Sequence, residues 1–126
     1  MRHLVSAMLV VVAIIHLLPL PGAIGSKRLT ALYGLSFDEP NLAILMRHRA
    51  VLFGLLGAFF LTAAFSPELQ GIALIGGLVS VLSFLCVASS VGSYNAQVRR
   101  VFTADIVALV CLVIGAVARA YTGHEG

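Results

Sequence analysis

Arg47, His48 and Arg49 stand side by side in an otherwise apolar stretch, NLAILMRHRAVLFGLLG (41–57). Two guanidinium groups around an imidazole offer charge-assisted hydrogen bonds to an anion or a carbonyl oxygen, and a proton donor or acceptor near neutral pH. In hydrocarbon each Arg costs about 2.5–3.5 kcal/mol on insertion scales. The triplet therefore belongs at a bilayer face or against partners inside a bundle. Consecutive helical residues lie ~100° apart, so three in a row sweep more than half the circumference, and at least one looks inward.

Asp105 is the natural counterpart. It falls where the chain has become apolar, so it must pair, meet water or be protonated. Three uses follow. The first is a buried ion pair with Arg47 or Arg49, in which case Asp105→Ala destabilises the fold by a few kcal/mol. The second is a site in which the pair positions an anionic or carbonyl-bearing ligand. The third is a proton relay through His48 and Asp105, the candidate acid–base groups. His16 and His48 invite an axial-ligand reading for haem, but no HxxxH or ExxH pair is present, and neither metal nor cofactor is expected. Tyr94 reads as an interfacial anchor and Asn95 as a cap on the end of a helix. Cys86 and Cys111 lie in apolar runs without CxxC spacing and read as packed, reduced thiols.

The elements that must position these residues are helices in lipid. Of 126 residues, 60% are hydrophobic and only 10% charged, against about 25% charged in a soluble domain. The net charge of +3 comes from scattered basic residues. That pattern describes membrane topology and excludes a nucleic-acid footprint. Residues 4–20 form an apolar helix closed by Pro19 and Pro21. Arg2, the apolar run and Ala23-Ile24-Gly25 also resemble a signal peptide, but the retained-helix reading is kept. Ser26 is a candidate N-cap, and Gly34 the C′ residue, of a short interfacial helix over 26–33. Asp38-Glu39-Pro40 is a helix start. The second long helix runs over 39–65, and its portion after the triplet is about 24 Å long. Ser66-Pro67-Glu68 breaks the chain. The third helix covers 71–92, the linker SYNAQVRR covers 93–100, and the fourth helix covers 101–119.

The expected fold is all-α: a single domain, an antiparallel bundle of four transmembrane helices. Small residues recur at helical spacing (Ala50, Gly54 and Gly57; Ala73, Gly76, Ser80 and Ser83; Ala104, Ala108, Cys111 and Gly115) and suit close packing in lipid. Loops 1 and 3 share a side with Lys27, Arg28, Arg47, Arg49, Arg99 and Arg100, whereas the other side holds Arg2 and Arg119. The positive-inside rule makes the first side cytoplasmic and leaves both termini outside the inner membrane. His16, the triplet, Tyr94, Asn95, Arg99 and Asp105 then gather at the cytoplasmic end.

MRHRAVLFG with the later GSYNAQVRRVFTADIVAL resembles, over most of the chain, a group of small bacterial four-helix membrane proteins. More distantly it is similar to the DoxX-like superfamily, whose second helix often starts with an Arg and whose fourth carries an acidic residue. The resemblance implies that Arg47, His48, Tyr94, Asn95, Arg99 and Asp105 are signature positions. Some members of the small group carry the label phosphopantetheine adenylyltransferase. That soluble α/β enzyme needs an HxGH-type motif, which this chain lacks.

The functional expectation is a non-enzymatic inner-membrane protein. It binds membrane lipids, a lipid-like or small amphipathic ligand, or a larger membrane complex at its cytoplasmic end. The rival is an enzyme acting on a quinone- or isoprenoid-like substrate, with His48 and Asp105 as acid–base groups. A small homo-oligomeric transporter is the third reading, disfavoured because no carboxylate lies at mid-membrane in the first or third helix.

Overall fold

The computed structural model describes residues 2–23, 25–34 and 39–125. Four long helices and one short one follow in order: α1 (Arg2–Leu17), a 3-10 turn (Leu20–Ala23), α2 (Ser26–Tyr33), α3 (Pro40–Ala64), α4 (Pro67–Val91) and α5 (Ala96–Glu125). No strand occurs among the described residues.

Local chemistry sets most of the boundaries. The prolines at 19 and 21 stop α1 at Leu17, short of the expected 20. Glycine 25, not Ser26, takes the cap position of α2, and no side chain caps it. Gly34 ends α2 in the left-handed conformation (φ 68°), its N–H donating to Thr30 O at 2.7 Å. Glu39 caps α3: its carboxylate accepts the Leu42 amide at 2.8 Å, and Pro40 takes the first turn. That bond, with those from the Asn41 backbone and side chain, holds the exposed Glu39 carboxyl below its usual pKa. Asp38, its expected companion, lies outside the described residues.

Two starts differ from expectation. Helix α4 begins at Pro67, because proline suits a first turn whose N–H would be unbonded anyway. Helix α5 begins at Ala96 because Asn95 Oδ1 accepts the Val98 amide at 2.8 Å. Asn95 thus caps the start of α5 rather than the end of the preceding helix. The supposed linker residues Arg99 and Arg100 lie on its first turns.

The four long helices pack in the cyclic order α1, α3, α4, α5, neighbours antiparallel. Val5, Leu9, Val12 and His16 form the buried stripe of α1 and meet Phe60, Val81 and Leu112 in the core. The stripe follows the helical period. The end away from the triplet is closed by polar contacts: Ser6 Oγ (2.5 Å) and Gln70 Nε2 (3.4 Å) both donate to Ala64 O at the C-terminus of α3. Close approach of the helices depends on glycine. A Cβ at Gly57 would lie 2.6 Å from Leu17 Cγ, and one at Gly77 2.7 Å from Leu112 Cδ2. The small-residue stripe of α4 is therefore shifted from expectation. Its buried face runs through Ala73, Gly77, Val81 and Ala88, whereas Gly76 faces open space.

The outer surface is apolar. Ile44, Leu45, Leu55, Ile72, Ile75, Val79, Val87 and Val117 all point outward, far more than isolated surface hydrophobes would account for. Outward hydroxyls are satisfied by their own helices: Thr62 donates to Ala58 O at 2.9 Å and Thr103 to Arg99 O at 3.0 Å, the arrangement lipid demands. Three helices, Pro40–Ala64, Pro67–Val91 and Ala96–Tyr121, are long and apolar enough to cross a membrane; α1 is shorter. Cys111 is buried and Cys86 exposed on the outer face of α4, so only the first is a packed core thiol; both are free.

Candidate functional site

A cavity of about 200 Å³ opens at the end of the bundle where α1 stops and α3 and α5 begin. Its walls come from four segments: Ile15 and His16 of α1, Ala31 and Tyr33 of α2, Arg49 and Phe53 of α3, and Gln97, Arg100, Val101, Ala104 and Asp105 of α5. Leu18 and Pro19 complete the lining.

Helical spacing explains this composition. Arg49 and Phe53 are four apart on α3 and share a face. Gln97, Arg100, Val101, Ala104 and Asp105 follow the same rule on α5, which is possible because the helix already starts at Ala96. The inward member of the triplet is Arg49. Its guanidinium lies over the Tyr33 ring (5.4 Å to the centroid) and the Phe53 ring (4.5 Å), and Nη1 donates to the Tyr33 hydroxyl. Desolvated cation–π contacts of this kind are worth about 1–2 kcal/mol each.

Asp105 is 8% exposed, lines the cavity and takes no hydrogen bond from any described residue. Arg49 lines the same cavity, close enough for its charge to act on the carboxylate. The expected direct ion pair is not formed, because Tyr33 and the aromatic faces engage the guanidinium instead.

His16 lies deeper, 1% exposed. Its Nδ1 is 3.0 Å from Val12 O, a carbonyl that can only accept, so Nδ1 carries the proton. In the neutral ring Nε2 then accepts from the Ser80 hydroxyl at 3.2 Å. The ring meets Phe60 edge-on at 4.8 Å and Phe53 at 5.5 Å. Both nitrogens are thus engaged, and His16 ties α1 to α4 across the bundle.

Helix α2 covers the cavity. It packs against α3 and α5: Tyr33 is buried against Met46, Val98 and Val101. Asn95 Nδ2 donates to Tyr33 O at 2.6 Å while Oδ1 caps α5. One side chain therefore starts α5 and fastens α2. Asn95→Ala is expected to cost about 1–2 kcal/mol and to speed amide hydrogen exchange in α2, leaving mid-α4 unchanged. Unaltered exchange in α2 would show that its hold on the bundle lies elsewhere.

Of the residues singled out in the sequence, the structure brings His16, Arg49 and Asp105 together, with Asn95 behind the lid. Arg47, His48 and Arg99 are exposed and do not line the cavity. Tyr94 stacks on Phe102 at 5.7 Å, outside the cavity wall. His16 and His48 do not share a site. Among the described residues no group of three or more His, Cys, Asp or Glu is placed to hold a metal. Tyr33, Phe53, Gln97 and Ala104 were missed; the spacing of Phe53 from Arg49 was the one signal that could have found any of them.

No protein-family model, curated protein or solved structure matches this chain.

Proposed function

We propose that this chain is a small multi-pass inner-membrane protein that binds one amphipathic, lipid-like ligand in the α2-covered cavity and performs no chemistry on it. The observation that carries the reading is a cavity-facing carboxylate with no donor among the described residues and an aromatic-clamped guanidinium, both lining one cavity with apolar walls. Sites for small ligands are mostly apolar with a few convergent polar groups. At about 200 Å³ the space suits a head group or a single ring, since a cavity of about 150 Å³ admits benzene.

The apolar outer face and three membrane-length helices support the membrane setting. With α1 as the fourth span, Arg47, Arg49, Arg99 and Arg100 gather at the cavity end, which is then cytoplasmic by the positive-inside rule, with both termini outside. The resemblance to DoxX-like proteins points to Asp105 among its signature positions and to Arg47 rather than Arg49 at the start of the second long helix. The enzymatic alternative has less support, because His48 is exposed outside the cavity and His16 has both nitrogens occupied.

Native mass spectrometry of the protein extracted from its own membranes in mild detergent tests the reading. A stoichiometric non-covalent adduct of lipid-like mass, lost in Arg49→Ala, is expected. A bare protomer, or one held only to other polypeptides, would replace the ligand site with an accessory-subunit role.

A further inference from the structure

The chemical class of the ligand can be narrowed from the charges and hydrogen bonds of the cavity, an inference that rests on the ligand-binding reading above. Asp105 is more than nine-tenths buried, lines the cavity and has no donor among the described residues. Its oxygens are open to the cavity and not sealed in the core, so whatever fills the cavity and excludes water from them is favoured if it carries a donor. The cation on the other side, Arg49, is partly compensated already: its guanidinium bonds the Tyr33 hydroxyl and lies against two aromatic faces. Yet among the described residues it donates one hydrogen bond, and a guanidinium has five N–H groups. Arg100, the other cation of the lining, is exposed, so its charge is screened by its surroundings far more than that of Arg49.

Among the described residues inside the rim, then, the charges of Arg49 and Asp105 cancel. A carboxylate or phosphate head would meet the Asp105 charge and leave an excess negative charge in a low-dielectric space. An ammonium head would satisfy Asp105 but leave an excess positive charge beside Arg49. Both outcomes are penalised by burial. A hydroxyl carries no charge and is both donor and acceptor. We propose that the cavity selects a neutral, hydroxyl-bearing head group, its O–H donating to Asp105 and its oxygen accepting from Arg49, with the apolar remainder against Ile15, Phe53 and Val101.

The test uses the full chain in lipid nanodiscs and three photoreactive alkyl diazirines, matched in chain and ending in a hydroxyl, a carboxylate or an ammonium. Labelling at Tyr33 and Phe53 is divided by labelling at the outward residues Ile75 and Val79, which removes differences in bilayer partitioning. The ratio for the alcohol is expected to exceed the other two by about tenfold, the worth of one hydrogen bond to a charged group. Asp105→Leu is expected to erase that preference, and Asp105→Asn, which keeps an accepting oxygen, to weaken it.

Equal or higher ratios for the carboxylate or the ammonium would overturn the assignment of a neutral head while leaving a ligand site in place. An alcohol preference untouched by Asp105→Leu would overturn the role of Asp105. If none of the three probes labels the cavity above the outer face, ligand binding itself fails. Should either Asp105 variant not fold, the head-group comparison on the unaltered protein decides alone.

Discussion

Replacing His16 with alanine is expected to destabilise the bundle by about 3–5 kcal/mol, the range for removing a large buried ring. The ring is nearly inaccessible and is packed against Phe60 and Phe53. Its two hydrogen bonds contribute unequally to the loss. Val12 O belongs to the helix that bears the histidine, so the bond from Nδ1 is an extra one on an α-helical carbonyl. The Ser80 hydroxyl can turn back to a carbonyl one turn earlier in α4, as serines in lipid do. The decisive term is the ring volume, which would open into the neighbouring cavity and loosen contacts on three helices. His16→Phe keeps an aromatic ring, slightly larger but beside the cavity, and loses the bonds, so it should cost about 1–2 kcal/mol. Denaturant titration in detergent, read by helical circular dichroism, separates the two. A loss under about 1 kcal/mol for His16→Ala would mean that the histidine does not hold α1 to α4.

The fold was legible because lipid imposes few solutions. With 60% hydrophobic residues, every backbone group needs an internal partner, and only helices supply one from within a single segment. Prolines 19, 40 and 67 and glycines 34 and 92 act where local chemistry says they should. The mistakes came from polar residues read as solvent-exposed linker. SYNAQVRR looked like a loop because it holds two arginines and an asparagine. In the structure that asparagine is the cap that lets the arginines lie on a helix.

The site was only half legible for a related reason. A single sequence gives the angular order of side chains on one helix, but not the rotation of that helix against its neighbours. The triplet required one inward residue, and the choice of Arg49 was made by the aromatic rings that receive it: Phe53 four residues on, and Tyr33 from a separate helix. Helix α2 is short, spanning Ser26–Tyr33. Nothing in eight residues distinguishes a membrane surface from the end of a bundle as the partner of Tyr33. His16 was placed at the correct end, yet its engagement with Ser80 depends on a contact across 64 residues of sequence.

The same limit makes the glycines informative, and Gly57→Leu is expected to be about as damaging as His16→Ala. Two effects compete when a helical glycine is replaced. Helix propensity favours alanine over glycine by about 1 kcal/mol, while steric overlap opposes it. At Gly57 a Cβ would sit 2.6 Å from Leu17 Cγ and 3.2 Å from Ala13 O. The leucine side chain can rotate away at a cost. The backbone carbonyl cannot, short of moving α1 off α3. Overpacking of this kind costs about 1–3 kcal/mol, so Gly57→Ala should come out destabilised by about 1–2 kcal/mol even after the gain in propensity. A leucine adds three more carbons in the same direction and should raise the loss to about 3 kcal/mol or more. Gly76 is the control, on a helix of similar character with nothing within 4 Å of its added Cβ. Gly76→Ala should be neutral or stabilising, and Gly76→Leu should stay within about 0.5 kcal/mol. Denaturant titration of the four variants in one detergent measures the contrast. Equal effects at the two glycines would mean that α1 is not held against α3 at Gly57. Because Leu17 lies between the cavity-lining residues His16 and Leu18, Gly57→Ala should also reduce capture of the ligand, whereas Gly76→Ala should leave it unchanged.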